Sequence, residues 1–174
     1  MAFSIPDYFF DSFDRITPAF LTEHGIRCIL CDIDNTLVTY DDAEPTEAVR
    51  NWLNTMRENR ITVIFLSNNN GDRARIFANS LPNPYYAPAS KPLTKTAKRA
   101  LSEHGFTKNE TAVLGDQIFT DVWAGNFLGA ALTLLVPPIK DKTNLFFRTK
   151  RLLEKPFLRC YRRREKKRQT REEV

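Results

Sequence analysis

The chain has 174 residues, of which 42% are hydrophobic and 27% are charged, and its formal net charge is +5. This length suits one domain with its own core and excludes two ordinary domains, while the hydrophobic content excludes an intrinsically disordered chain. The three cysteines give no disulfide framework, and no apolar run approaches the ~18 residues of a membrane span. We therefore expect a folded, cytoplasmic protein without a transmembrane segment.

The N-terminal segment, residues 3–24, is rich in apolar and aromatic side chains whose spacing is closer to that of a helix than of a strand. Pro18 interrupts this pattern, so we expect two short helices, with Thr17 capping the second and Gly25 ending it. The segment is predicted to pack on the edge of a sheet, and a membrane-contact surface is the alternative.

The rest of the chain alternates strand and helix patterns. Predicted strands cover 26–31, 61–66, 85–87, 111–114 and 130–136, and predicted helices begin at Pro45, Gly71, Pro92 and Ile118. Cys28 and Cys31 fall on one strand but on opposite faces, so we expect two buried thiols rather than a shared metal or disulfide. Alternating strands and helices predict an α/β fold with a doubly wound parallel sheet.

Two acidic residues, Asp32 and Asp34, stand where the first predicted strand ends. Residues two apart in an extended chain point to the same side, so both carboxylates face one crevice. Burying such a pair is costly without a cation or a proton, and open parallel sheets bind ligands beyond the carboxyl ends of their strands. The pair therefore indicates a divalent metal site with a carboxylate that serves as nucleophile or acid; a solvated turn is the alternative for the pair alone.

Three more polar motifs follow later in the chain. They are Ser67-Asn68 at the end of the second predicted strand, Lys91-Pro92 at the start of a helix, and Gly115-Asp116-Gln117 with Asp121 after the strand 111–114. In this order, the residue types resemble the four motifs of the haloacid dehalogenase (HAD) superfamily of aspartyl phosphatases. The motifs extend over about half of the chain.

The resemblance implies a Mg²⁺-dependent phosphomonoester hydrolase that acts through an aspartyl-phosphate intermediate. Asp32 would be the nucleophile, and Asp34 would protonate the leaving alkoxide and then activate water. Lys91 would offset negative charge on the nucleophile and the transition state.

The same resemblance assigns the metal and phosphate ligands. The metal residues are Asp32, Asp34 through its main-chain carbonyl, Asp116 and Asp121, the last of which would hold a water of the metal or orient Lys91. Ser67 and Asn68, with the backbone amides beside them, would bind the phosphoryl oxygens of the substrate. A helix cap is the alternative for Ser67 and Asn68.

Short connections leave no room for a substrate-capping domain. Only one helix with its connections lies between Leu37 and Ile61, and the stretch from Ser67 to Lys91 is as short, so neither holds a core of its own. An open site suits large or surface-bound substrates, although a partner subunit can also supply a cap.

The whole chain resembles a narrower group, the capless subclass IIIA phosphatases of the YqeG family. The shared features are the Phe-rich N-terminal segment ending in His24-Gly25-Ile26, the motif from Gly115 to Asn126 and a basic tail. That family resembles the mitochondrial phosphatidylglycerophosphatase, which implies phosphatidylglycerophosphate or another large or surface-bound phosphate as substrate. Nucleotide, sugar and protein phosphates are the alternatives.

Positive charge is concentrated at the C-terminus. Residues 140–174 contain 14 Lys and Arg against 5 Asp and Glu, which leaves a net charge of −4 for residues 1–139. We therefore divide the chain into a phosphatase domain, 1–139, and a basic tail, 140–174. Apolar pairs such as Phe146-Phe147 alternate with basic residues, a pattern compatible with peripheral contact with an anionic membrane. RNA binding and solvation of a C-terminal helix are the alternatives.

Two other functions fit parts of the pattern. Receiver domains also carry a phosphorylated Asp on a parallel sheet, but they lack the second acid of the pair, so Asp34 favours turnover over a stored phosphate. An RNA- or ribosome-associated binding protein with vestigial catalysis is the alternative from a different class. Because every catalytic position is filled, the sequence favours the enzyme.

Overall fold

The computed structural model describes residues 4–69, 71–140 and 153–163, and a six-stranded parallel sheet lies at its centre. The strands are β1 (Tyr8–Phe9), β2 (Cys28–Cys31), β3 (Thr62–Leu66), β4 (Tyr85–Tyr86), β5 (Thr111–Gly115) and β6 (Leu132–Leu135). Their spatial order is β1-β6-β5-β2-β3-β4, and each neighbouring pair is parallel. The order reverses beside β2, which places a ligand crevice at its carboxyl end.

Helices connect these strands, and one helix follows the last of them. They are α1 (Pro18–Glu23), α2 (Glu47–Glu58), α3 (Asp72–Asn79), α4 (Lys95–Glu103), α5 (Trp123–Leu128) and α6, residues 153–163. Short 3₁₀ turns cover Phe13–Arg15 and Lys108–Glu110, and a π turn covers Ile118–Val122. The predicted helix after Pro45 is confirmed as α2: Thr46 caps it by accepting a hydrogen bond from the Val49 N–H at 3.3 Å.

Both faces of the sheet are covered. In the central strand β2, Ile29 and Cys31 join one apolar cluster while Cys28 and Leu30 join another. The first cluster includes the buried face of α2 and the second includes that of α4. The predicted doubly wound α/β fold is therefore confirmed, and the two thiols of β2 lie on opposite faces as expected.

The N-terminal segment differs from its prediction. The helix expected before Thr17 is wrong: Tyr8–Phe9 forms an edge strand paired with β6, and a 3₁₀ turn follows it. The aromatic residues of this segment alternate between faces, with Tyr8 packed on Phe20 at 4.9 Å between ring centroids and Phe9 beside the apolar cluster around Ile118. The backbone hydrogen-bond partners of β1 lie in β6, and a local sequence pattern cannot predict a pairing with so distant a strand.

The remaining N-terminal predictions are confirmed. The Thr17 hydroxyl accepts a hydrogen bond from the Phe20 N–H at 3.2 Å and so caps α1. Gly25 follows α1 with φ of 69°, a left-handed conformation that favours glycine. The segment also packs on the edge of the sheet, through β1.

The connections that would hold a cap domain are short. Between β2 and β3 the structure contains α2, and between β3 and α4 it contains α3 and β4. In the part of the chain that the structure describes, neither connection carries a separate core, so the capless architecture is confirmed. None of the described helices has the length and apolar character needed to cross a bilayer.

Part of the basic tail packs on the domain as α6. The Glu154 carboxylate accepts a hydrogen bond from the Ile118 N–H at 3.0 Å, and the Tyr161 hydroxyl accepts one from the Phe9 N–H at 3.0 Å. The ring of Phe157 also packs edge-on against Phe119. Residues 141–152 and 164–174, which include Phe146-Phe147, lie outside the described residues, and the division at residue 139 stays a prediction.

Candidate active site

Three neighbouring strands bring the motif residues to one edge of the sheet. Cys31 of β2 is in register with Phe65 of β3 and Leu114 of β5. The residues that follow these strands therefore meet at their carboxyl ends. Asp32, Ser67 and Asp116 occupy this edge, and all three are buried.

Lys91 forms ion pairs with two of the carboxylates. Its Nζ lies 2.5 Å from Asp32 Oδ1 and 2.7 Å from Asp121 Oδ1. Lys91 is itself buried, and the two carboxylates raise its pKa against the opposing effect of burial. The lysine is therefore a fixed positive charge between the two acids.

The acids of the first and fourth motifs form a site that suits a divalent cation. Asp32, Asp116 and Asp121 each place a carboxylate oxygen within 4.8 Å of the others. Lys91 supplies one positive charge to these three acids, which leaves an excess of about two negative charges in a buried place. Oxygen donors of this number and charge fit Mg²⁺ or a similar hard cation.

A glycine allows Asp121 to reach this cluster. A Cβ at Gly115 would lie 2.2 Å from Asp121 Cγ, so only glycine leaves room for that carboxylate at the end of β5. The π turn that begins at Ile118 then fixes Asp121, whose Oδ2 accepts hydrogen bonds from the Gln117 N–H at 3.1 Å and the Thr120 hydroxyl at 3.2 Å. Steric exclusion of a Cβ by the Asp121 carboxylate thus explains the glycine of the GDQ motif.

Asp34 lies outside the three-carboxylate cluster. Its carboxylate forms an ion pair with Arg73 and accepts a hydrogen bond from Asn69 Nδ2 at 3.3 Å. Both Asp34 and Arg73 have little exposed side-chain surface, 6% and 18%. A metal ligand at Asp34 would thus be its main-chain carbonyl, as the resemblance implies, while the side chain is directed elsewhere.

Ser67 and Asn68 organise the loop after β3. Ser67 is fully buried, and its Oγ accepts a hydrogen bond from the Asn69 N–H at 3.0 Å. Asn68 uses its side-chain amide to hold the main chain of Lys91: Oδ1 accepts from the Lys91 N–H at 2.7 Å and Nδ2 donates to the Lys91 carbonyl at 3.0 Å. Asn68 therefore positions the lysine, and its contribution to a phosphate would come from its backbone.

The electrostatics of the cluster are centred on Asp32. Burial, together with the nearby Asp121 and Asp116 carboxylates, raises the pKa of Asp32 to about 7 despite the lowering effect of Lys91. Ionising this group inside the protein therefore costs free energy that a second cation would offset.

The sequence did not reveal Arg73, Asn69, Thr36 or Glu154. Thr36 donates a hydrogen bond to Asp32 Oδ2 at 3.3 Å, and Glu154 accepts one from the first residue of the π turn. A cation in the first turn of a helix is disfavoured by the helix dipole, but this gave no usable signal for Arg73, because Lys95 stands in the first turn of α4 and is exposed. The Glu154 contact crosses 36 residues and has no local signal.

Solved structures share this fold. The cobalt-bound deoxy-D-mannose-octulosonate 8-phosphate phosphatase YrbI of Haemophilus influenzae superposes with a TM-score of 0.54 at 15% identity, over 73% of this chain and 75% of that one. The hypothetical protein XCC2798 of Xanthomonas campestris superposes with a TM-score of 0.53 at 17% identity, over 68% of this chain and 71% of that one. At these identities the likeness concerns the fold.

A sequence relative identifies the family. No protein-family model matches the chain. The probable phosphatase YqeG of Bacillus subtilis (strain 168) is 35% identical over 161 residues, which are 92% of this chain and 93% of that protein. The chain therefore belongs to the YqeG family, and it is a phosphatase with the HAD-like fold.

Proposed function

We propose that this phosphatase is a Mg²⁺-dependent phosphomonoester hydrolase that forms an aspartyl phosphate on Asp32. One observation carries the proposal: Asp32 is a buried carboxylate at the end of β2 that contacts Lys91 at 2.5 Å and shares a cluster with Asp116 and Asp121. A buried acid with this surplus of negative neighbours needs a cation, and a bound cation prepares it to meet an anionic substrate.

Asp32 acts as the nucleophile. Its carboxylate oxygen attacks the phosphorus atom, so a P–O bond to Asp32 forms while the P–O bond to the leaving alcohol breaks. Water then attacks the phosphorus of the acyl phosphate, which releases inorganic phosphate and restores the Asp32 carboxylate. Lys91 stabilises the charge that accumulates on the phosphoryl oxygens during both displacements.

Asp34 transfers the protons. In its protonated form it donates one to the leaving alkoxide in the first displacement, and as a carboxylate it accepts one from the attacking water in the second. The hydrogen bond from Asn69 Nδ2 to Asp34 Oδ2, 3.3 Å long, helps to orient this carboxyl group. The Ser67 hydroxyl and the backbone N–H groups after β3 would bind the phosphoryl oxygens that do not react.

Mg²⁺ would be held by the carboxylates of Asp32, Asp116 and Asp121 and by the main-chain carbonyl of Asp34. When bound, it supplies positive charge that screens the substrate phosphate from the acids around it. Asp121 would serve the metal and Lys91 together, because its Oδ1 already contacts the lysine at 2.7 Å.

The covalent step can be tested with p-nitrophenyl phosphate, whose leaving group needs no proton. In Asp34→Asn, the loss of water activation should let the phosphoenzyme accumulate, and peptide mass mapping after an acid quench should place the phosphate on Asp32. Asp14→Asn, at an exposed acid, is the matched control and should turn over normally. Phosphate found on another residue, or undiminished hydrolysis in EDTA, would contradict the proposal.

For the natural substrate, we propose phosphatidylglycerophosphate or another large or surface-bound phosphate, reached by an enzyme at the membrane periphery. The described connections leave the site uncapped, which suits a substrate that extends from the pocket. The helix α6 presents Arg159, Arg162 and Arg163 as exposed cations beside the domain. Such cations attract an anionic lipid surface.

A charge-only variant of the full chain tests the membrane contact. Replacing Arg159, Arg162 and Arg163 with Gln should weaken binding to anionic vesicles by about 3 kcal/mol, or about a hundredfold, at low salt. Hydrolysis of p-nitrophenyl phosphate should stay unchanged. The control replaces three exposed lysines on the domain, Lys95, Lys98 and Lys108. Equal vesicle binding by all three proteins would refute the membrane role of α6, and selective loss of RNA binding would favour the nucleic-acid alternative.

A further inference from the structure

Arg73 is a charged residue at the active site that the reaction above does not use. Its side chain is 18% exposed and pairs with the Asp34 carboxylate through Nη2. The other terminal nitrogen, Nη1, donates to the carbonyl oxygen of Thr39 at 3.4 Å and to that of Asp42. The guanidinium is thus anchored by the loop after β2 and directs one side toward Asp34.

The two cations of the site contact different acids. Lys91 belongs to the metal cluster, where it contacts Asp32 and Asp121. Arg73 belongs to Asp34, on the side where the leaving alcohol must lie if Asp34 is to protonate it. Arg73 is therefore the cation that a group on the leaving alcohol would meet.

The position of Arg73 in the chain is otherwise unfavourable. It stands in the first turn of α3, where the helix dipole repels a cation, and burial lowers its pKa. A guanidinium presents a planar fork of donors that binds carboxylate or phosphate oxygens in pairs. A partly exposed arginine of this kind can exchange one carboxylate partner for another anion of similar shape.

We propose that Arg73 forms a subsite for a second anionic group on the alcohol side of the substrate. This inference rests on the proposed function and deepens it. The preferred substrates are phosphomonoesters whose alcohol carries a carboxylate or a phosphodiester near the ester oxygen. This anion takes the place of Asp34 on the guanidinium, and Asp34, still held by Asn69, then faces the ester oxygen.

Two small substrates that differ in one group provide the test. Glycerol 3-phosphate has a neutral alcohol, whereas 3-phosphoglycerate has the same three-carbon skeleton with a carboxylate. With the full chain and Mg²⁺, kcat/KM from phosphate release should be about ten- to a hundredfold higher for 3-phosphoglycerate, the range of one charge-assisted contact. Arg73→Met should bring that ratio close to one.

Arg75→Met is the matched control, because Arg75 lies on the same helix with its side chain 63% exposed and paired with Asp72. It should keep the wild-type ratio. Arg73→Lys keeps the charge but loses the fork, so the ratio should fall only in part; this variant also serves if Arg73→Met does not fold.

The outcomes separate the inference from the proposed function. An unchanged ratio in Arg73→Met, with both substrates slowed equally, would mean that Arg73 only positions Asp34 and would overturn the subsite. A wild-type ratio near one, or an unchanged ratio in Arg73→Lys when Arg73→Met is unfolded, would overturn it as well. Absence of Mg²⁺-dependent phosphate release from every phosphomonoester, p-nitrophenyl phosphate included, would instead refute the proposed function.

Discussion

The substitution Asp32→Asn should remove activity and yet stabilise the metal-free protein. Asp32 has a pKa of about 7 in the fold against an ordinary value of 3.8, mainly because it is buried. Each unit of pKa corresponds to about 1.4 kcal/mol, so ionising Asp32 within the fold costs about 4 kcal/mol. This is a large fraction of the free energy of unfolding of a typical domain. Asn has nearly the same shape and carries no charge. Lys91 keeps a buried partner, since Asp121 Oδ1 remains 2.7 Å away.

The size of the effect depends on pH. An acid whose pKa is raised by folding is protonated in the fold at low pH and costs nothing there; the cost grows as pH rises from about 3.8 and reaches its full size above about 7. The advantage of Asp32→Asn over wild type should therefore be about 4 kcal/mol at pH 8 and about half of that at pH 5. Urea unfolding in EDTA at the two pH values measures both differences.

Added Mg²⁺ should narrow this difference in stability. A cation that binds only the folded protein stabilises it, by about 2.7 kcal/mol at a hundred times its Kd. Wild type should gain this stabilisation, whereas Asp32→Asn should gain less because it has lost one carboxylate ligand. If Asp32→Asn were no more stable than wild type at pH 8 in EDTA, or if its advantage grew toward pH 5, the electrostatic reasoning would be refuted.

Two further substitutions probe the same cluster. Lys91→Met should destabilise the metal-free protein by about 3–5 kcal/mol, because it leaves buried acids without their cation, and should remove activity; urea unfolding against Lys95→Met, at an exposed lysine, checks this. Gly115→Ala should displace the Asp121 carboxylate, since the new Cβ would lie 2.2 Å from Asp121 Cγ. Its thermal stabilisation by Mg²⁺ should be much smaller than that of wild type, and an equal shift in melting temperature would count against Asp121 as a metal ligand.

The residues that sequence could place are those tied to strand ends. Asp32, Ser67 and Asp116 each follow an apolar run, and parallel strands in register bring such residues together whatever the rest of the chain does. Periodicity also located α2, because Val49, Trp52 and Met56 recur on one face. In these cases a local pattern and a general rule of the fold determine the position.

Contacts between distant parts of the chain could not be placed in the same way. The edge strand β1 depends on β6, more than a hundred residues later, and the pairing of Asp7 with Thr133 spans 126 positions. The partner of Asp34 was missed for a different reason: Arg73 follows a loop whose path decides which acid the guanidinium meets. A pattern of residue types predicts that a side chain lies at the end of a given strand. It does not predict which side chain of a distant loop will contact it.

The docking of α6 limits what a deletion can reveal about the basic tail. Glu154 holds the Ile118 N–H at the start of the π turn that carries Asp121, and Tyr161 holds the Phe9 N–H of the edge strand. Removing the tail from residue 153 onward would release both contacts, so a loss of lipid hydrolysis would not distinguish a weaker membrane contact from a displaced Asp121 carboxylate. Replacing only the exposed arginines leaves Glu154 and Tyr161 in place. The surface charge of α6 and its packing on the active-site turn therefore have to be varied separately.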